Sequence, residues 1–427
     1  MRHSLNSVDL SSGSKGFLID VPGSTVVNME FTFLSGFDFV EPDKYEVPHS
    51  MEHMVFGANE KFKSAQTFSR ELGLNGAYHN AYTSGLLNGY VAETAEFEWE
   101  RVMELFWLGL TTPKFLPREY KTESETINEE LHSRLDNHGL MLNVALMRAM
   151  GNDHLQDYRK RIKILPNITT ADLQAHHQLT HNARNMRFII AGNLRGQRER
   201  ILKLIERYTN NLPSGERKTV PQAKLIQPLS PVAVKRDADK VYFDLKCGFY
   251  GELNEREQVA LDILRHILTE AWDSRIFGKG RRKGLLYGIM SSGGSSQGMS
   301  GFAIAGSVVK SKSRSMFEFV ADELCKLKER GITPAELKRA KQHLIGDFQI
   351  RHQTPQSLIN WYSRIFVEDD YHKFNERADL IKSITRRDID SLTNSFFSEA
   401  NWGVGVLAPN ADEAASRLYE QGERIWA

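Results

Sequence analysis

Apolar and polar positions alternate through FLIDV (residues 17–21) and VVNMEFTFLSG (26–36), the period of strands with one buried face. The same alternation marks AYHNAYT (77–83) and GYVAE (89–93), separated by SGLLN, as neighbouring strands. From residue 95 to 110 the period lengthens. Phe97, Val102, Phe106 and Leu110 recur at helical spacing, as do later apolar positions between Pro117 and Met150, and Pro48 stands where a helix could begin. Strands followed by long helices predict an α+β fold, with helices packed on one face of a mostly antiparallel sheet.

The pattern occurs twice. FLSGFDFVEPDKYEV, around Gly36, resembles CGFYGELNEREQVAL, around Gly251, at an offset of 215. Pro117 and its helix-like continuation resemble the stretch from Pro334 at 217, Ile168 pairs with Ile384 at 216, and Ala191 pairs with Ala408 at 217. Matches at nearly one offset indicate a duplicated domain. The expected division is an N-terminal domain at 1–212, a linker rich in Pro and Lys at 213–238, and a C-terminal repeat at 239–427.

Composition narrows the function. A chain of 427 residues with 41% apolar and 26% charged positions has globular proportions. No apolar run approaches the roughly 18 residues of a membrane span. A net charge of +1 supplies no bulk field for nucleic acid or anionic lipid, so neither nucleic acid nor membrane is an expected partner. Cys247 and Cys325 are the two cysteines, too few for a disulfide framework, and the start of the chain lacks the apolar region of a signal peptide. The expected location is cytoplasmic.

The string that carries chemistry is His49-Ser50-Met51-Glu52-His53, an H-x-x-E-H motif. On a helix starting near Pro48, the histidines lie four apart on one face and can present two imidazoles to one ion, with Glu52 flanking that face. A catalytic ion needs a third protein ligand and an open position besides. The bland alternative is a pair of helix-face histidines satisfied by core or solvent. His176, His177 and His181 contain a second four-residue spacing but no acidic companion, and read as a polar helix terminus before the MRFII strand. The Ser291–Gly298 run reads as a mobile hairpin loop, lacking the Gly-Lys-Ser/Thr of a phosphate cradle. Met141 and Met147 read as core.

At these residues the chain resembles the pitrilysin/insulinase family of inverted-motif zinc metallopeptidases, in the short two-domain form related to the mitochondrial processing peptidase subunits. In that family a distant glutamate completes the metal site. Glu130, in Asn128-Glu129-Glu130-Leu131, stands 77 residues after His53 at the corresponding place, and Glu123 matches a glutamate that buttresses the metal. The family's peptide-binding strand matches Gly76-Ala77-Tyr78-His79-Asn80-Ala81-Tyr82-Thr83, so Asn80 and Ala81 are implied substrate contacts. Asn185-Met186 through Ala191-Gly192-Asn193 and Ile332-Thr333-Pro334-Ala335-Glu336-Leu337 match two further family segments. The family's Arg and Tyr, seven residues apart, correspond imperfectly to Arg281 and Tyr287, which are six apart. Carried forward by 215, the motif residues fall on Leu264, Ile267 and Leu268, so the second repeat is expected to be inactive and to supply substrate contacts.

The resemblance implies a zinc-dependent endopeptidase acting on peptides or small unfolded polypeptides, with one zinc per chain held by His49, His53 and Glu130. Glu52 would be general base toward zinc-activated water, and Tyr287 a donor to the substrate carbonyl. A homodimer, or a heterodimer with a related chain, is implied because the family encloses substrate between two such halves. The alternative is a non-catalytic or partner-dependent subunit of a heteromeric processing peptidase.

Overall fold

A computed structural model describes residues 2–426, which form two compact units. The first contains the described residues up to His132, with Arg159–Val220 and Gln349–Phe374; the second contains Ser133–Tyr158, Pro221–Phe348 and the described residues from Asn375 onward.

In the first unit, β1 (Ser4–Asp9), β2 (Lys15–Asp20), β3 (Val26–Leu34), β4 (Tyr78–Thr83), β5 (Leu87–Ala95) and β6 (Met186–Gly192) form one sheet in the order β1-β2-β6-β3-β5-β4. Neighbours are antiparallel except β2 with β6. Alternate residues of β6 serve different cores, which is why MRFIIAG reads as a continuous apolar run. Phe188 and Ile190 join Met29, Phe31 and Phe33 against helices Val47–Val55, Trp99–Thr111 and Arg198–Thr209. Ile189 and Ala191 face the opposite way, onto Leu358, Ile359 and Tyr362 of helix Pro355–Tyr362. The expectation of helices on one face therefore needs an addition, since this sheet carries a helix on its other face too.

In the second unit, β7 (Val232–Lys235), β8 (Lys240–Tyr250), β9 (Ile289–Ser296), β10 (Met299–Val309) and β11 (Asn401–Ala408) form a sheet in the order β7-β11-β8-β10-β9. Omitting β1, this is the order of the first sheet strand for strand, including one parallel pair, β7 with β11. Duplication is thus visible in the topology. Helix His138–Ala149, encoded in the first half of the chain, packs on β8 and β11. Its approach needs glycine, because a Cβ at Gly405 would lie 2.9 Å from Leu142 Cδ1.

The contiguous division at 1–212 and 239–427 does not match these units. Two segments at equivalent places in the repeat, 133–158 and 349–374, each belong to the unit built mainly from the other half. Residues 213–238 are also more than a linker, since they contribute β7 and the buried Leu225. The run at Ser291–Gly298 is ordered as most of β9 plus a two-residue turn, Gln297–Gly298, with φ of 56° and 77° as a type I′ hairpin requires.

Candidate metal centre

Helix Val47–Val55 opens on Pro48 in its first turn, where a missing N–H costs nothing, and carries the motif. His49 and His53 present their rings from successive turns, with centroids 5.0 Å apart. Helix Pro117–Leu135 supplies Glu130, whose carboxylate lies 3.5 Å from His49 Nε2 and 3.8 Å from His53 Nε2. One ligand atom from each of the three lies within 4.8 Å of the others; among the described residues this is the one such group of three. The donor set, two imidazoles and one carboxylate, fits zinc in a catalytic setting, where three protein ligands leave the fourth position to water.

The far sides of both rings are engaged. His53 Nδ1 is 3.1 Å from Glu123 Oε2, and His49 Nδ1 is 3.1 Å from Glu46 Oε2. Glu123 and Glu130 are seven residues apart on one helix and share a face. These contacts leave both Nε2 atoms facing Glu130. Burial disfavours a charged His49 ring, but hydrogen bonds to Glu130 and Glu46, with the nearby Glu52 charge, raise its pKa to about 9.

Glu52 accepts a hydrogen bond from Thr83 Oγ1 at 2.7 Å. Thr83 ends β4 and in turn accepts from Asn88 Nδ2 at 2.7 Å, while Ser35 Oγ donates to Asn88 Oδ1 at 2.6 Å. Glu52 is thereby tied to the strand that carries Asn80 and Ala81. That strand closes one end of the sheet, pairing Asn80 with Val91 and Ala81 with Tyr90 along one edge only. Glu46, Thr83 and Asn88 escaped the sequence reading as site residues, although each lay inside a quoted string: FLSGFDFVEPDKYEV, the Gly76–Thr83 match and SGLLN.

Arg281 and Tyr287 belong to the second unit. Tyr287 is 83% exposed, and the Arg281 guanidinium lies 5.0 Å from the Trp272 ring and 5.3 Å from the Tyr287 ring. Leu264, Ile267 and Leu268 are buried there as core.

His176, His177 and His181 stand at the C-terminal end of helix Thr170–Thr180, ahead of β6, as expected, but all three are buried rather than exposed. His176 and His177 donate Nε2–H to the carbonyls of Ser35 and Leu110, each at 2.8 Å, and His181 Nε2 lies 2.9 Å from the Tyr90 hydroxyl. Burial depresses the pKa of His176 and His177 to about 4 and pushes His181 the same way. An unfolded chain takes up protons near 6.5 while the folded rings of His176 and His177 stay neutral down to about 4, so stability falls as pH drops through that window. The loss is roughly 3 kcal/mol for each of those two rings by pH 4. His177→Gln, which keeps a donor for Leu110, is expected to lower the melting temperature of chelator-treated protein less steeply than wild type between pH 7.5 and 5. Parallel curves would contradict this.

A repeated α+β unit with an H-x-x-E-H helix and a glutamate from a second helix is the arrangement of the inverted-motif metallopeptidases. Residues 35–158 match Insulinase (Peptidase family M16), and residues 167–344 match Peptidase M16 inactive domain. The chain belongs to this family. It is 22% identical over 419 residues to the zinc protease PqqE of Helicobacter pylori, covering 94% of this chain and 92% of that one. An uncharacterized zinc protease of Rickettsia bellii is 23% identical, covering 96% and 99%. A solved protease from Helicobacter pylori superposes with a TM-score of 0.84 at 20% identity, over 95% of this chain and 100% of the other. The periplasmic protease PqqL from Escherichia coli gives 0.78 at 15% identity, over 96% of this chain but 46% of that one. Among the described residues no helix is long and apolar enough to cross a membrane.

Proposed function

We propose that the chain is a zinc-dependent endopeptidase for peptides and small unfolded polypeptides, with zinc held by His49, His53 and Glu130. The observation that carries this reading is the convergence of two Nε2 atoms on the Glu130 carboxylate, with Glu52 beside them on the same helix. Zinc bound there would acidify water and polarise a carbonyl. Glu52, held by Thr83, takes a proton from the attacking water and returns it to the leaving amine. The edge of β4 aligns an extended substrate by main-chain pairing, which tolerates many sequences, and Asn80 and Ala81 border that path. Arg281 and Tyr287 are further substrate contacts in this reading. A cytoplasmic location is part of it, supported by two free thiols.

The test is digestion of an unfolded polypeptide and of the same polypeptide folded, by zinc-loaded protein. Cleavage of the unfolded form alone supports the reading; no cleavage of either sinks it. Glu123→Ala is expected to weaken zinc about 10- to 100-fold, as loss of a carboxylate behind a ligating histidine does. Unchanged affinity by chelator competition would remove Glu123 from the centre.

Enclosure of substrate between this chain and a second one is part of the reading, supported by the family resemblance. A dimer, of identical chains or with a related chain, is expected by sedimentation. A fully active monomer would contradict the enclosure while leaving the metal centre in place.

A further inference from the structure

Glu46 is a carboxylate with no exposed surface, immediately before helix Val47–Val55. Its Oε2 faces His49 Nδ1 at 3.1 Å, and Arg161 donates to it twice, from Nε to Oε1 and from Nη2 to Oε2 at 3.2 Å. Arg161 is itself only 7% exposed. It lies on helix Tyr158–Ile164, where the chain re-enters the first unit, and its guanidinium packs 4.7 Å from the Phe37 ring and 5.4 Å from the Tyr45 ring. Phe37 and Tyr45 stack in parallel, 4.6 Å apart.

A buried ion pair is no better for stability than apolar residues of the same volume, and frequently worse. What an apolar pair could not do here is accept the proton of His49 Nδ1. Accepting it reserves Nε2, which is turned toward Glu130, as the ring atom that can give up its proton and offer a lone pair to a metal. The two histidines are also supported unequally. Glu123, behind His53, has 34% of its side chain in solvent, whereas Glu46, behind His49, has none. A bond sheltered from water holds its geometry more firmly, because no solvent molecule competes for it.

We propose that Glu46 and Arg161 are the positioning pair of the metal centre: Glu46 sets the tautomer and orientation of His49, and Arg161 holds the Glu46 carboxylate in line with it. This rests on the reading of His49 as a zinc ligand. It adds two residues, one of them 112 positions beyond His49 in the chain. Neither touches the reacting atoms.

The experiment measures zinc affinity by chelator competition and the visible spectrum of the cobalt-substituted protein. The chains compared are wild type, Glu46→Gln, and the double variant Glu46→Gln/Arg161→Met. The double variant carries the decision, because removing one charge of a buried pair can unfold a protein while removing both spares it an unpaired charge. Arg187→Met/Asp369→Asn is the control; it removes another ion pair of the same unit that touches no zinc ligand. Zinc is expected to bind about 10- to 100-fold more weakly to the folded double variant, with an altered cobalt spectrum, while the control keeps wild-type affinity and spectrum. Wild-type zinc affinity in the double variant would overturn the inference and leave the metal reading standing. A similar loss in the control would also overturn it, by showing that affinity follows general stability. A wild-type chain that binds no zinc would overturn the metal reading and this inference together.

Discussion

Glu52→Gln is expected to keep about one zinc per chain and lose roughly 100- to 10,000-fold in peptide turnover, the range that general-base catalysis contributes. The amide preserves the bond with Thr83 at 2.7 Å and the shape of helix Val47–Val55, but it cannot take a proton. His49→Ala, His53→Ala and Glu130→Ala are expected to do the opposite first, removing zinc and with it all turnover. The three ligand atoms lie within 4.8 Å of one another, so losing any one leaves two ligands where a catalytic zinc uses three. Metal content and turnover measured on all four variants separate ligand from base. Zinc lost from Glu52→Gln and retained by Glu130→Ala would reverse the assigned roles.

Asp369→Asn should cost about 2–3 kcal/mol, at or below the low end for breaking a buried pair because this aspartate is a third exposed. Arg187 is 3% exposed on β6 and donates to both carboxylate oxygens, at 2.7 Å from Nη2 and also from Nε. Lys15 and Arg217 each stand 3.7 Å from the same carboxylate, so Arg217 would lose this counter-charge together with Arg187, while Lys15 keeps Asp9 at 3.8 Å. Asn suits the backbone at this position, whose φ is 54°, so the variant isolates charge from strain. The urea midpoint is expected to fall with zinc stoichiometry unchanged, and adding Arg187→Met is expected to recover most of the loss. A midpoint equal to wild type would show that this pair contributes nothing to docking the 349–374 segment on its sheet.

What the sequence made legible follows from what side-chain pattern can encode. Repeat offsets near 216 anticipated two sheets of matching order, and the four-residue spacing of His49 and His53 anticipated one helix face. Glu130 needed the family resemblance, because nothing in the 76 intervening residues ties it to His53. The exchange of segments 133–158 and 349–374 was invisible: an apolar stripe says that a helix is covered, not which sheet covers it. Glycine and serine carry no pattern, so β9 read as a loop, and the polar SLNSVD of β1 went unread. The burial of His176 and His177 at their helix end was not legible, because their partners are backbone carbonyls, which every residue has. Glu46 was missed for a similar reason, its counter-ion lying 115 residues away.

The central claim is that His49, His53 and Glu130 hold a zinc on which peptide cleavage depends. The most direct measurement is a zinc titration of chelator-stripped protein, with bound metal and hydrolysis of an unfolded peptide followed in the same samples. Hydrolysis should rise in step with occupancy and level off at one zinc per chain. Hydrolysis that is already complete before zinc is added, or a chain that reaches one bound zinc without cleaving any peptide, would contradict it.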